Sequence, residues 1–256
     1  AFFREGMGPL LPGAEHVPPP DSYRCVWDCA GECNLKCADY IDYVLEKEGD
    51  VAAVIAETVR STPFIPPADY WQRVRDACDR HGALLILDEI PHCLGRTGRM
   101  FTCEHYGVVP DMVVIGKGLG GGIFPFAALI AREELNLAAD KALGHYTHEK
   151  SPVACAAALA TLEVIREENL LENAERVGQF ALEKLRDLQR RHSLVGDVRG
   201  LGLLLGVELV RDRQSLERAT EEAEEVMYQA LARGLSFKLT MGNIITLTPA
   251  LTVTEE

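Results

Sequence analysis

Four short apolar runs stand out in the first half of the chain, each bounded by charged residues, glycine or proline. They cover residues 51–56, 83–87, 112–115 and 126–130. Continuous apolar runs of this length are typical of strands that are buried on both faces of a parallel sheet. Helical patterns at residues 33–47 and 70–81 precede the first two runs. Gly49 and Gly82 are predicted to end these helices, and Asp69 is the predicted N-cap of the second. The alternation of helix and strand predicts an α/β sheet.

The second half has a different pattern. Long helical patterns cover residues 153–168 and 170–191, strand-like runs cover 194–198, 203–209 and 244–247, and an acidic helix is predicted over 215–233. Helices followed by mixed strands indicate a smaller α+β unit. We therefore expect residues 1–165 to form part of a large domain, and residues 166–256 to form a long linking helix and a small C-terminal domain. The first residue is not methionine, and the last residues stop where a helix could begin, so we expect a piece of a longer protein.

Composition narrows the possible partners. The net charge of −13 argues against nucleic acid and against an anionic membrane as main partners, although a site can still be locally basic. No apolar stretch is long enough to span a bilayer. Four of the eight cysteines, Cys25, Cys29, Cys33 and Cys37, are evenly spaced, whereas structural zinc sites usually carry close pairs separated by a longer loop. The pattern favours reduced thiols of a cytoplasmic protein, and no metal site is predicted.

Charged residues follow two of the predicted strands. Asp88 comes directly after the run 83–87, and Lys117 follows the run 112–115 within the glycine-rich stretch 116–122. In open α/β sheets, ligands bind beyond the carboxyl ends of the strands, so we expect both side chains at one ligand-binding edge. A lysine can form a Schiff base with an aldehyde cofactor, and a carboxylate can keep a ring nitrogen protonated. The alternative is a surface lysine in a glycine turn and an aspartate in a strand-end turn.

The same glycine-rich stretch partly resembles two nucleotide-binding motifs. Residues 116–121 match G-x-G-x-x-G, but a dinucleotide site requires a helix to begin at the glycines, and a strand is predicted next. A phosphate-binding P-loop requires Ser or Thr after its lysine, and Gly118 follows Lys117. Neither motif is predicted to bind a nucleotide here.

Several longer motifs, from about Val51 onward, resemble class-III aminotransferases. They are LDEI at 87–90, GRTGRMF at 95–101, EHYGV at 104–108, PD at 110–111, GKGLGGG at 116–122 and DVRGLG at 197–202. The resemblance implies an α/β enzyme of fold type I that uses pyridoxal 5'-phosphate (PLP). It implies that Lys117 forms the Schiff base with the cofactor and that Asp88 pairs with the pyridine nitrogen. It also implies that the family's N-terminal phosphate loop and ring-stacking aromatic lie outside this chain.

The same resemblance implies further cofactor contacts. Glu57, Ile90 and Pro91 match positions around the ring, and Thr147 matches a threonine that reaches the cofactor phosphate of the partner subunit. A homodimer with shared active sites is therefore expected. Pro91 is a departure, because the family has a glutamine there that hydrogen-bonds the cofactor ring oxygen, and a proline side chain cannot form that bond.

Two more departures bear on the reaction. Thr62 stands where the family has a glutamate, and Thr246 stands where it has the arginine that pairs with that glutamate and binds a substrate carboxylate. Since an unpaired buried charge is costly, the loss of one partner favours the loss of the other. We therefore expect this enzyme not to bind an amino-acid and keto-acid pair in the usual way.

A second set of residues is predicted to contact an anionic group of the substrate. His148 and Lys150 lie in an unusual stretch at 146–152, and Arg60 is a further candidate; the alternative for each is a salt-bridged loop residue. With the variant residues 90–92, they resemble a subgroup that eliminates ammonia from hydroxy-aminoethylphosphonates. We therefore predict a PLP enzyme that acts on a small primary amine by elimination. A transaminase and a non-catalytic binding module are the alternatives.

Overall fold

The computed structural model describes residues 5–9, 11–29, 33–141, 144 and 146–255. Helix α1 (Lys36–Glu48) precedes a four-stranded sheet, which contains β1 (Ala53–Glu57), β2 (Leu84–Asp88), β3 (Met112–Ile115) and β4 (Ala128–Ala131). The strands follow one another in chain order; β1, β2 and β3 are parallel, and β4 is antiparallel to β3. The prediction of an α/β sheet from the apolar runs is confirmed.

Helix α2 (Tyr70–His81) connects β1 to β2 and shows why its pattern is visible in the sequence. Tyr70, Trp71, Val74, Ala77 and Cys78 recur on one helical face, and all five are buried. They pack with Leu85 and Leu87 of β2 in the main hydrophobic core. The predicted cap is wrong in detail, because the Asp69 side chain makes no hydrogen bond to the helix start, although Gly82 ends the helix in a left-handed conformation.

The second half begins with helices α3 (Pro152–Glu167) and α4 (Leu170–Arg191) and continues as an antiparallel sheet. Its elements are β5 (Val195–Leu201), β6 (Leu204–Asp212), β7 (Glu217–Arg218), α5 (Thr220–Leu231), β8 (Lys238–Thr240) and β9 (Ile244–Leu247). The strand order is β5-β6-β9-β8, and β7 pairs with β6. The acidic helix begins later than predicted, because residues 217 and 218 hydrogen-bond to β6 instead. Strand β8 is absent from the sequence prediction.

The loop that follows β2 packs closely against α4 and the turn between β5 and β6. Gly178 of α4 touches Gly202 so closely that a Cβ atom at either position would overlap neighbouring backbone. Gly202 in turn packs on Thr97 and Gly98 with a positive φ of 50°. Glycine is the residue that permits both the close approach and the positive φ. The contact fixes the second sheet against the loop beside Lys117.

None of the helices in the described ranges combines the length and the low polarity that a membrane crossing requires.

Candidate active site

A cavity of about 970 Å³ opens at the carboxyl edge of the first sheet. Lys117, Ile90 and Pro91, which are predicted at this edge, all line it. Its remaining wall comes from α3 and from the second sheet, including Thr240, Thr246 and Thr248. The cavity therefore lies between the two halves of the chain, where ligand sites of α/β proteins commonly occur.

Lys117 lies in a strained turn. Gly116 is extended, Lys117 has a φ of 44°, and a 3₁₀ turn spans Lys117–Gly120 before Gly121 takes a φ of 67°. A lysine in the left-handed region costs of order 1 kcal/mol, and such strain clusters at functional sites. A Cβ on Gly116 would lie 3.3–3.4 Å from Ala127 and Ile90, so a small residue is needed there. A 3₁₀ turn of four residues is too short to make a helix N-terminal site for a dinucleotide.

Asp88 ends β2 at the same edge, two residues before Ile90. Its Oδ1 accepts the backbone N–H of Ile90 at 3.0 Å, and no donor in the described part of the chain reaches Oδ2. Glu57 is its partner across β1 and β2, and Oε2 of Glu57 accepts the N–H of Ser61 at 2.8 Å. The parallel register therefore brings Asp88 and Glu57 side by side, as the strand-end argument predicts.

Six of the predicted residues do not line this cavity in the single chain: Asp88, Glu57, Arg60, Thr147, His148 and Lys150. Glu57 and Arg60 line a separate cavity of about 260 Å³, and the Arg60 guanidinium lies 5.7 Å from the ring centre of Phe64. Thr147, His148 and Lys150 lie in an exposed stretch after β4, and the Lys150 side chain is 90% exposed. Their predicted contacts with a partner subunit or a substrate remain predictions.

Thr62 and Thr246, which stand where the resemblance leads one to expect a charged pair, line the same cavity as Lys117. Thr62 lies on the wall beside Ser61, and its Oγ1 is buried without a hydrogen-bond partner among the described residues. Thr246 of β9 is buried, with its Oγ1 3.0 Å from Oγ1 of Thr240. Positions 62 and 246 are far apart in sequence, yet the fold places both at one site.

Two cations on the cavity wall, Arg96 and Lys238, are not among the residues predicted from sequence. Arg96 lies within the GRTG motif, and its Nη1 donates to the carbonyl oxygens of Leu203 and Pro249. Lys238 lies on β8, the strand that was not predicted. The alternation of apolar and polar residues over 237–240 is the signal that could have revealed β8.

A buried polar layer supports the edge that carries Asp88. The Glu89 carboxylate accepts hydrogen bonds from the Thr58 hydroxyl (2.9 Å) and from the backbone N–H groups of Thr102 (2.6 Å) and Cys103 (2.7 Å). Burial raises the pKa of Glu89, although all three donors oppose that effect. These bonds tie the end of β2 to the turn at 102–106, which limits how far Asp88 and Ile90 can move.

His92 is fully buried beneath Pro91 and Cys93, two residues of the cavity wall. Its Nδ1 lies 3.0 Å from Oγ1 of Thr102, and that hydroxyl donates its only proton to the His92 carbonyl. Nε2 of His92 is buried and has no hydrogen-bond partner among the described residues. Burial, together with the positive charge of Lys117, lowers the pKa of His92 to about 3.

We expect acid to destabilise the protein through His92. Between pH 6.5 and about 3 the unfolded chain binds a proton at this residue and the folded chain does not, so stability falls as the pH falls. From pH 6.5 to pH 5 the free energy of unfolding should drop by about 2 kcal/mol more in the wild type than in His92→Asn. Urea unfolding at pH 8, 6.5 and 5 measures both curves. At pH 8, the difference in stability between wild type and variant gives the effect of the substitution on packing and hydrogen bonding alone. If the stabilities of both proteins fell equally between pH 8 and pH 5, His92 would not be the cause of the acid sensitivity.

The evenly spaced cysteines also come together in space. Cys25, Cys29, Cys33 and Cys37 line a cavity of about 270 Å³ near the start of α1. All eight cysteines are free thiols, and no three His, Cys, Asp or Glu side chains of the described residues are arranged to hold a metal ion.

Comparison with known proteins identifies the family. The profile described as Aminotransferase class-III matches residues 2–256. The (R)-1-hydroxy-2-aminoethylphosphonate ammonia-lyase of Vibrio splendidus (strain 12B01) is 48% identical, and the match covers 99% of this chain and 56% of that protein. The leucine/methionine racemase of Thermococcus litoralis is 40% identical, and the match covers 96% of this chain and 57% of that protein.

A solved structure gives the same answer at the level of the fold. A Bacillus anthracis aminotransferase superposes with a TM-score of 0.89 at 35% identity, covering 98% of this chain and 60% of that one. The chain thus spans just over half the length of the curated relatives it matches. With a family profile over nearly all its residues and this degree of identity, the chain belongs to the class-III aminotransferase family, whose enzymes depend on pyridoxal phosphate.

Proposed function

We propose that the protein is a PLP-dependent lyase that releases ammonia from a small primary amine carrying a phosphonate group. The observation that carries the proposal is the placement of Thr62 and Thr246 on the wall of the Lys117 cavity. With a glutamate and an arginine at these positions, a site can bind a substrate carboxylate in one half-reaction and a substrate without that carboxylate in the other. Two threonine hydroxyls cannot form the ion pairs that this alternation requires. An elimination uses one substrate and needs no such alternation.

The residues present fit PLP. Lys117 offers a primary amine in an open cavity, and Asp88 keeps Oδ2 free of donors from the described residues at the same sheet edge. When bound, PLP supplies an aldehyde that captures the substrate amine and a ring that withdraws electrons from the adjacent carbon. Asp88 would hold the proton on the ring nitrogen, and Ile90 and Pro91 would form part of the surrounding wall. Glu57 lies beside Asp88 at the end of β1.

Lys117 has two tasks in this scheme. Its Nζ would hold the cofactor at rest and would be the base that removes a proton from the carbon next to the substrate nitrogen. The buried, uncharged His92 beneath the cavity wall adds no second positive charge beside Nζ at neutral pH. With a hydroxyl on the next carbon, elimination removes water and later hydrolysis restores it, so the net products are an aldehyde and ammonium.

The test is turnover without a keto acid. The protein loaded with PLP is mixed with 2-amino-1-hydroxyethylphosphonate, and ammonia is measured by a coupled assay. Many equivalents of ammonia per active site are expected. One equivalent followed by arrest, with activity restored by pyruvate, would contradict elimination and establish transamination. Inversion of leucine or methionine without ammonia release would instead establish racemisation.

Transamination is the second candidate, because the Bacillus anthracis protein that shares the fold is an aminotransferase. Under that alternative the amino group moves from an amine or amino acid to a keto acid, and Lys117 and Asp88 keep their roles. A non-catalytic binding module is disfavoured, since Lys117 lies in an open cavity and the relatives include a lyase and a racemase.

We also propose a homodimer in which Thr147 of one subunit reaches the cofactor phosphate of the other. The exposed position of Thr147, outside the cavity of its own chain, supports this arrangement. Residues 1–165 would belong to the large cofactor-binding domain, and residues 166–256 to the linking helix and the small domain, an arrangement that the two separate sheets favour. The eight free thiols suit the reducing cytoplasm.

A further inference from the structure

The wall of the Lys117 cavity is positively charged, although the chain as a whole is strongly acidic. Lys117, Arg96 and Lys238 contribute cations, and no Asp or Glu of the described residues lines the cavity. The whole chain has 39 acidic and 26 basic residues, so this local excess is opposite in sign to the rest of the protein. A cavity lined by one sign of charge attracts ligands of the other sign.

Two of the three cations already have a task. Lys117 carries the proposed cofactor attachment, and Arg96 is held by the carbonyl oxygens of Leu203 and Pro249, where it joins the β2 loop to the second sheet. Lys238 forms no ion pair with any residue that the structure describes, and it is exposed to the solvent. It is therefore the cation that remains available for a ligand.

The pairing of β8 with β9 sets the direction of the Lys238 side chain. Lys238 and Thr246 are directly opposite each other in this antiparallel pair, and residues opposite each other point to the same face of a sheet. Thr246 faces the cavity, as does Thr240, two residues along β8. The wall thus presents one ammonium group beside two hydroxyls.

Hydroxyl groups complete a surface suited to a tetrahedral oxyanion. Thr248 lines the cavity on the same side as Thr246. Ser61 and Thr62 line it from the loop that follows β1. Oγ1 of Thr62 is buried, has no partner among the described residues and is therefore a donor in need of an acceptor. A phosphonate presents three acceptor oxygens and a negative charge, which one ammonium and several hydroxyls can bind together.

We propose that Lys238 binds the phosphonate group of the substrate and thereby determines the class of amine that the enzyme accepts. This inference rests on the proposed function, because it places the amine of the same substrate at Lys117. It assigns substrate recognition to β8 rather than to Arg60, His148 or Lys150, which do not line the cavity of this chain.

The test separates binding from turnover. Ethylphosphonate has no amine and cannot react, so its affinity for the PLP-loaded protein is measured by titration calorimetry. In Lys238→Met we expect the affinity to fall about 10- to 100-fold, the usual size of a charge-assisted hydrogen bond. Lys238→Arg should restore most of it, and Lys184→Met, on the exposed face of α4 outside this cavity, should change nothing.

Turnover supplies the second half of the test. With the hydroxy-aminophosphonate, Lys238→Met should raise KM by the same factor and leave kcat and the cofactor absorbance unchanged. Unchanged ethylphosphonate affinity, or loss of the cofactor from the variant, would overturn the assignment. If ethylphosphonate binds through Lys238 but no ammonia is released, the assignment stands and the proposed lyase reaction fails.

Discussion

Lys117→Ala should lower turnover by about 10³-fold or more and remove the visible absorbance band of the PLP-loaded protein. The substitution deletes both the amine that attaches the cofactor and the base that moves the proton, and general-base catalysis alone contributes about 10²- to 10⁴-fold. Borohydride treatment of the wild type should fix the cofactor covalently to the peptide that contains Lys117. Peptide mass mapping then identifies the modified residue independently of activity.

The matched control is Lys47→Ala on helix α1. Lys47 is exposed, paired with Glu46 and remote from the cavity, so turnover, absorbance and borohydride labelling should all remain as in the wild type. The Lys117 variant should unfold near the wild-type midpoint, because the side chain is exposed and makes no ion pair with the described residues. Labelling at another lysine, or substantial turnover in Lys117→Ala, would refute the role given to Lys117.

The parts of the site that follow from sequence are those fixed by strand ends. An apolar run predicts a buried strand, and the residue after it must lie at the carboxyl edge, so the positions of Asp88, Glu57 and Lys117 could be anticipated. The strained φ of Lys117 could not, because it depends on how the turn packs against Ile90 and Ala127. Local pattern determines which residues reach an edge, whereas packing determines their conformation.

The cavity wall is less predictable, because it depends on contacts between distant segments. Lys238 faces the cavity only because a three-residue strand pairs with β9, and so short a segment has almost no pattern of its own. Arg60 shows the opposite case: it lies three residues after a strand-end acid, yet its side chain packs over Phe64 in another cavity. The predicted contact of Thr147 is with another subunit, and the sequence of one chain does not show which residues of two subunits meet.

A buried ionic network joins the N-terminal segment to the second sheet. Glu208 of β6 is fully buried and accepts Nε of Arg24 at 2.6 Å and Nη2 of Arg199 at 2.8 Å. Arg199 also donates to the carbonyl oxygen of Pro63 at 2.5 Å, next to Thr62 on the cavity wall. The two arginines hold the pKa of Glu208 below its usual range, even though burial alone would raise it. Glu208 thus balances two guanidinium groups between the two halves of the chain.

Glu208→Gln should lower the free energy of unfolding by about 3–5 kcal/mol at pH 7, the usual cost of removing one partner from a buried ionic group. The amide keeps the shape of the side chain but leaves Arg24 without a carboxylate partner and Arg199 with Asp197 as its one remaining carboxylate partner among the described residues. Because the folded pKa of Glu208 is depressed, its stabilisation is complete above its ordinary value of 4.5 and is lost as the pH falls through the lower folded value. Urea unfolding at pH 7 and pH 3.5 should therefore show a smaller difference in stability between the wild type and the variant at the lower pH.

Glu217→Gln is the matched control. Because Glu217 pairs with Arg211 at the surface, this substitution should lower the free energy of unfolding by no more than about 1 kcal/mol. Equal stabilities of the two variants at pH 7 would show that the network does not hold the halves together.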